Sequence, residues 1–158
     1  MARLSPWVFA GIGCLGVAAL AVVGIGGVGL LVSKSMKEEL SKPLDKVALL
    51  HDLNVPIHPK AELDEQLTKS THAGTALAKK WAKLSLVSAS FRLLAPESEV
   101  RDWYKKTLVA KGYPLTEETS GKTRTLQFTS KEYIVTVDFA DPAQMIITRM
   151  KVPGTNKE

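Results

Sequence analysis

The sequence predicts an α+β protein, in which an N-terminal transmembrane helix precedes a small antiparallel sheet with one helix packed on one face. Three observations lead to this prediction. Residues 7–32 contain no charged side chain. Several later segments alternate apolar and polar residues with a period of two, which is typical of half-buried strands. A stretch that begins at Pro96 spaces its apolar residues three and four apart, which indicates an amphipathic helix.

The uncharged run from Trp7 to Val32 has twenty-six residues. At about 1.5 Å per residue, a helix of this length exceeds the roughly 30 Å of a bilayer's hydrocarbon core. We therefore expect one membrane-spanning helix that runs from Trp7 through Gly16 to Val32. A cleaved signal peptide is the alternative, but its apolar region is usually about 7–15 residues long and ends at small residues. This run is longer and ends in Leu-Leu-Val-Ser-Lys, which favours an uncleaved signal anchor.

Cys14 is the only cysteine of the chain, so an intramolecular disulfide is impossible. A lipidated cysteine would follow the apolar stretch, whereas most of the stretch follows Cys14, which argues against a lipoprotein. Ala10, Cys14 and Ala18 place small residues on one helix face and form a candidate helix–helix contact in the membrane. A monomeric tether is the alternative interpretation of this row.

The orientation in the membrane is contested by two signals. Arg3 precedes the run, and Lys34, Lys37, Lys42 and Lys46 follow it. This distribution of basic residues favours a cytoplasmic C-terminal domain. An anchor with such a short N-terminal head most often delivers the following domain outward. We expect a single-pass membrane protein with an extracytoplasmic soluble domain, although the count of basic residues argues the other way.

The chain divides into four predicted parts. Residues 1–33 form the transmembrane anchor, residues 34–60 a juxtamembrane linker with a short helix over Leu44–Leu53, residues 61–152 the α+β soluble domain, and residues 153–158 a disordered tail. The net charge is +5, which suits proximity to anionic headgroups. The lysines are scattered among acidic residues without aromatic platforms, so we expect no nucleic-acid partner.

The elements of the soluble domain follow from local patterns. Leu84–Leu94 alternates apolar and polar residues as a strand does. Pro96 opens a helix whose first turn carries Glu97 and Glu99, and Gly112 ends it. Four strands are then predicted at Tyr113–Thr119, Thr123–Thr129, Tyr133–Phe139 and Met145–Val152. Their short connections predict antiparallel neighbours. The predicted core contains Leu86 or Val87 together with Phe91, Leu93, Val100, Trp103, Tyr104, Leu108, Leu126, Phe128, Val135, Val137 and Phe139.

One family resemblance rests on the string from Val55 to Ala61, which reads Val-Pro-Ile-His-Pro-Lys-Ala. It resembles the "vPiyPgA" opening of a group of small bacterial membrane-anchored or exported domains of mostly unknown function. Trp103-Tyr104 and Gly112-Tyr113 match that group's aromatic pair and its glycine–aromatic helix exit. This chain departs from the pattern at His58 and Lys60 and in a polar stretch from residue 70 to residue 80. The resemblance implies the fold and no activity.

No catalytic motif, nucleotide-binding glycine pattern or metal-ligand spacing is present, so we expect no enzyme activity, no cofactor and no metal site. The three histidines (His51, His58 and His72) are interpreted as exposed polar residues. The sequence favours a non-enzymatic, membrane-anchored interaction module, whose partners are the lipid bilayer and other membrane proteins in an assembly. The alternative is a carrier or sensor that binds a small apolar ligand between helix and sheet, in a pocket beside Trp103 and Tyr104.

Overall fold

The computed structural model of this chain describes residues 37–38, 40–82, 85–119 and 124–152. Several predictions lie outside these residues: the span from Trp7 through Gly16 to Val32, the contact row of Ala10, Cys14 and Ala18, and the tail at 153–158. Among the residues that the structure describes, no helix combines the length and the apolar character needed to cross a bilayer.

The described residues form an α+β fold around one six-stranded sheet. In chain order the elements are α1 (Lys46–Leu53), β1 (Ala61–Leu63), α2 (Glu65–Ala82), β2 (Leu86–Leu93), α3 (Glu97–Ala110), β3 (Leu115–Thr119), β4 (Arg124–Thr129), β5 (Tyr133–Asp141) and β6 (Gln144–Lys151). The strand order is β1-β2-β6-β5-β4-β3, and every neighbouring pair is antiparallel. The predicted α+β class with an antiparallel sheet is confirmed.

Alternation along the strands divides the sheet into two different faces. In β2, Ala89, Phe91 and Leu93 are buried on the face that carries the core, and Arg92 between them is exposed. Successive side chains of a strand point to opposite faces, so one apolar residue in two is enough to build one wall of a core. The strand predicted at Leu84–Leu94 is confirmed at Leu86–Leu93.

The core lies between the sheet and the helices α1 and α3. Most of the predicted core residues are buried, whereas Trp103 and Val87 are only partly buried. The helix α1 and the segment after it add apolar residues that the sequence analysis assigned to the linker. The buried cluster consists of Leu49, Leu53, Val55, Ala89, Phe91, Leu93, Val100, Tyr104, Leu108, Leu126, Phe128, Val135, Val137, Phe139, Met145 and Ile147.

The helix α2 is absent from the sequence prediction, which expected one helix packed on the sheet and a polar stretch here. It covers part of β2 that β1, with only three residues, leaves without a strand partner. Thr68, which is fully buried, accepts a hydrogen bond from the Ser90 N–H through its hydroxyl and donates one to the Ser90 carbonyl, both at 3.0 Å. The helix thereby satisfies backbone groups that would otherwise be buried without partners.

The linker helix α1 is confirmed close to its predicted position. The Asp45 carboxylate accepts a hydrogen bond from the Ala48 N–H and caps the first turn. At the other end, Asn54 adopts the left-handed conformation (φ 45°) and its N–H donates to the Leu50 carbonyl. Leu49 and Leu53 are buried in the core, so this helix is part of the folded unit.

Candidate functional site

An open groove of about 990 Å³ lies at one end of the sheet. It is formed where the end of α3, the start of β3, the β4–β5 hairpin, one residue of β6 and the C-terminal cap of α1 meet. We refer to it as the basic–aromatic groove. Its lining residues are Asn54, Lys111, Gly112, Tyr113, Pro114, Thr129, Ser130, Lys131, Glu132, Tyr133 and Arg149.

The helix end at Gly112 shapes one wall of the groove. Gly112 has φ 83°, a left-handed conformation that glycine adopts without steric cost. The N–H groups of Gly112 and Tyr113 donate to the carbonyls of Val109 and Leu108, at 3.0 Å each. This left-handed exit turns the chain sharply after α3, so that Lys111 and Tyr113 both line the same groove.

The β4–β5 hairpin forms the opposite wall and is held by its own backbone. The Ser130 N–H donates to the Tyr133 carbonyl at 2.8 Å, and the Ser130 hydroxyl accepts a hydrogen bond from the Tyr133 N–H at 3.0 Å. The Thr129 N–H donates to the Pro114 carbonyl, and the Val152 N–H donates to the Glu132 carbonyl. These bonds join the groove wall to β3 and to the end of β6, so the site is built on fixed backbone rather than on a free loop.

Arg149 and Tyr133 make the most specific contact of the groove. The Arg149 guanidinium carbon lies 3.6 Å from the centre of the Tyr133 ring, a cation–π arrangement. Its Nη1 donates a hydrogen bond to the Asp52 carbonyl in α1 at 3.0 Å. Its Nε is buried and has no hydrogen-bond partner in the part of the chain that the structure describes. The guanidinium is therefore held in a fixed plane, while the described residues accept a hydrogen bond from only one of its five N–H groups.

The rim of the groove is predominantly basic. Lys111, Lys131 and Glu132 are exposed, and within the described ranges neither lysine forms an ion pair. With Arg149, the groove thus presents three cations against one carboxylate. Sequence reasoning did not identify any of these residues as a site, because they come from segments far apart in the chain.

Trp103 and Tyr104, the predicted candidates for a ligand pocket, do not line this groove. Tyr104 is fully buried and Trp103 partly buried, and their rings meet edge to face with centres 4.9 Å apart. The rings of His58 and Trp103 also meet edge to face, with centres 5.1 Å apart. The carrier interpretation of these residues stays a prediction.

The interpretation of His58 as an exposed loop residue is wrong, because the residue is only 5% exposed. Its Nδ1 accepts a hydrogen bond from the Lys60 N–H at 3.1 Å, which places the proton of the neutral ring on Nε2. Its backbone N–H donates to the Tyr104 hydroxyl at 3.4 Å. Burial raises the pKa of Tyr104 far above its ordinary value, and the bond from His58 opposes that shift only in part.

A second charged cluster joins α3 to β3 and β4. Glu97 pairs with Arg101 at 3.5 Å and with Arg124 at 3.0 Å. Glu118 pairs with Lys105 and Arg101, and these cations hold the pKa of Glu118 below its usual range. Here each basic group lies within ion-pair distance of a carboxylate. We interpret this cluster as a structural connection between helix and sheet.

Asp138 lies in β5, on the sheet face opposite the core. Its carboxylate accepts a hydrogen bond from the hydroxyl of its cross-strand neighbour Thr125 at 2.6 Å. Burial raises the pKa of Asp138, and the bond from Thr125 opposes the shift. Val135 and Val137 are buried in the core, and the alternation of side chains along β5 places Asp138 on the other face of the sheet. Although Asp138 lies on the face away from the core, its side chain is only partly exposed to solvent.

Comparison of this chain with known protein families, with curated proteins and with solved structures gives no match. Within the described residues, no group of three side chains is arranged to hold a metal ion. The geometry of the groove is therefore the basis for a functional proposal.

Proposed function

We propose that this chain is a non-enzymatic, single-pass membrane-anchored interaction module that serves as an accessory subunit of a membrane protein assembly. The basic–aromatic groove carries the proposal. It combines a stacked arginine, two tyrosines and two lysines that form no ion pair with the described residues, all on fixed backbone. Arginine and tyrosine are the residue types that most often dominate the binding energy of protein interfaces. The uncharged run from Trp7 to Val32 supplies the proposed tether.

Two observations favour an interaction module over an enzyme. Among the described residues that line the groove, Glu132 on the exposed rim is the one carboxylate, and none is a histidine or a cysteine. Away from the groove, Glu97 at the start of α3 is paired with two arginines. Its carboxylate oxygens face two arginines that join α3 to the sheet, which is a structural role.

The packing around Trp103 favours the same choice over an apolar-ligand carrier. Trp103 makes edge-to-face contacts with the rings of both His58 and Tyr104, and Tyr104 has no exposed surface. A carrier requires open volume between helix and sheet at this position. The rings are instead in direct contact with one another, as side chains are in a packed core.

The proposal is tested by mild solubilisation of the membrane followed by size analysis of the full chain. We expect the chain to migrate in a complex larger than its own monomer and its detergent micelle, together with at least one other membrane protein. A lone monomer without any co-purifying protein would contradict the proposal. The same extract, treated with a harsher detergent that dissociates assemblies, is the control for micelle size.

A further inference from the structure

We propose that the basic–aromatic groove binds an extended acidic segment of the partner protein, with Arg149 and Tyr133 as the anchor for one carboxylate. This inference rests on the proposed function, because it names the class of partner for the same site. It goes beyond that function because it states that the bound segment is acidic and names the residues that bind it.

Charge complementarity is the first step of the argument. Six cations elsewhere in the described ranges are paired with carboxylates of the chain, namely Lys46, Lys60, Arg92, Arg101, Lys105 and Arg124. The groove instead gathers Lys111, Lys131 and Arg149 around the single carboxylate of Glu132. Gathering like charges costs free energy unless an anion is bound there, so the arrangement suits an acidic ligand.

The geometry of Arg149 is the second step. The Tyr133 ring and the Asp52 carbonyl fix the plane of its guanidinium, and its Nη2 makes no hydrogen bond within the described residues. A planar guanidinium presents parallel N–H groups that match the two oxygens of a carboxylate. Because the plane is already fixed, little side-chain entropy is lost when a carboxylate binds.

The shape of the groove favours a protein segment over an anionic membrane surface. Arg149 is partly buried between α1 and Tyr133, so a flat layer of headgroups would reach the rim lysines before it reached the guanidinium. Glu132 on the rim would also face a uniformly anionic surface at a cost. An extended segment can enter the concave groove and pack against Tyr113 and Tyr133, which line it.

The first experiment measures binding of a defined probe to the full chain in nanodiscs of zwitterionic lipid. The probe is a fluorescent hexapeptide of alternating glutamate and glycine, and the same peptide with glutamine in place of glutamate is the reference. We expect anisotropy to report binding of the acidic peptide only, and binding to weaken when ionic strength rises from about 0.05 M to about 0.3 M.

Matched variants locate the binding site. Lys131→Gln and Lys111→Gln should each weaken binding by about fivefold, the effect of losing roughly 1 kcal/mol of charge interaction. Arg149→Lys keeps the charge but loses the planar fork, and it should weaken binding by at least about tenfold. Lys106→Gln is the control, because Lys106 is an exposed lysine of α3 outside the groove. It removes the same charge and should change binding less than twofold.

Three results would overturn the inference. The first is that the glutamine peptide binds as tightly as the glutamate peptide. The second is that Lys106→Gln weakens peptide binding as much as the groove variants do. The third is that neither peptide binds, while the chain binds anionic vesicles and the groove variants lose that binding. The exposed positions of Lys131 and Lys106 keep this comparison independent of any folding defect in Arg149→Lys.

Photo-crosslinking in intact membranes separates this inference from the proposed function. A photo-reactive amino acid is placed either at Lys131 in the groove or at Lys106 outside it. Crosslinks from position 131 to an acidic segment of one protein would support both proposals. Crosslinks to a partner from position 106 alone would leave the interaction module standing and refute the groove as its binding site. The absence of any crosslinked protein from both positions would refute the proposed function itself.

Discussion

The replacement Tyr104→Phe removes a single oxygen atom from the fully buried centre of the domain. The ring and its edge-to-face contact with Trp103 remain, so the core keeps its volume. The lost oxygen leaves the backbone N–H of His58 without its hydrogen-bond acceptor. The variant therefore tests whether this one bond joins the proline-containing segment before β1 to α3.

The magnitude at neutral pH follows from the length of the bond. Leaving a buried donor unsatisfied costs about 1–3 kcal/mol. The bond is 3.4 Å long, at the weak end of hydrogen-bond geometry, so we expect a loss of about 1 kcal/mol in the free energy of unfolding.

An opposite effect is expected at alkaline pH. Burial raises the pKa of Tyr104 in the folded state, whereas a tyrosine in the unfolded chain titrates near pH 10. Above about pH 10 the unfolded chain binds fewer protons than the folded one at this residue, so stability falls as pH rises. The loss amounts to roughly 1.4 kcal/mol by about pH 11. Phenylalanine cannot ionise, and Tyr104→Phe should therefore become the more stable form between about pH 10 and pH 11.

The measurement is urea unfolding of the anchor-free fragment 34–158, followed by far-ultraviolet circular dichroism at neutral pH and near pH 11. Tyr113→Phe is the control, because the Tyr113 hydroxyl makes no hydrogen bond to the residues that the structure describes. Lysine titration affects all variants alike and cancels in their differences. Parallel stability curves for wild type and Tyr104→Phe across this range would refute the assignment of Tyr104 as a buried, hydrogen-bonded phenol.

The remaining predictions concern the core, the buried carboxylate and the tether. Phe91→Ala should cost roughly 3–5 kcal/mol in urea unfolding, whereas Leu94→Ala, at a half-exposed position, should cost less than about 1 kcal/mol; similar losses would contradict the placement of the core. Burial raises the pKa of Asp138, so its charged form destabilises the fold above that pKa. Asp138→Asn should therefore raise the free energy of unfolding at neutral pH and lose this advantage on acidification. A stability difference between variant and wild type that does not change with pH would contradict the prediction. Deletion of residues 1–33 should leave a folded, soluble fragment that fails in a complementation assay, whereas an unrelated span should restore function. Rescue by the soluble fragment would defeat the tether, and failure of the unrelated span would indicate specific contacts in the membrane.

Five of the six strands in the described residues were predictable because each carries a local signal, whereas the three-residue strand β1 was not predicted. The alternation in Leu84–Leu94 and the glycine at position 112 locate β2 and the end of α3 without reference to any other segment. The local signal of the helix α2 is weaker. The Asp64 carboxylate accepts a hydrogen bond from the Leu67 N–H as a helix N-cap does, but residues 68–76 are all small or polar. Among its described side chains, Thr68 and Ala73 are buried, and its packing against β2 is a tertiary contact that no local pattern predicts.

The groove was not predictable for a related reason. Tyr113, Tyr133 and Arg149 are separated by twenty and sixteen residues in the chain, and only the strand order β6-β5-β4-β3 and the turn at Gly112 bring them together. In β6, Met145 and Ile147 face the core, and Arg149 is the next residue on the same face. A charged residue in an otherwise apolar series is the one feature of the sequence that points to this site.

The packing of α1 determines how far the groove can move from the membrane under the proposed tether. Leu49 and Leu53 belong to the core, and Arg149 is bonded to the Asp52 carbonyl, so the folded unit includes α1 from its first residue, Lys46. The thirteen residues from 33 to 45 then form the whole connection to the proposed anchor. Fully extended, they span at most about 45 Å. A short tether raises the local concentration of a membrane-bound partner to about the millimolar range, so a weak groove with three cations can be sufficient for the interaction. The acidic segment should accordingly belong to a protein that is itself held at the membrane, within reach of this connection.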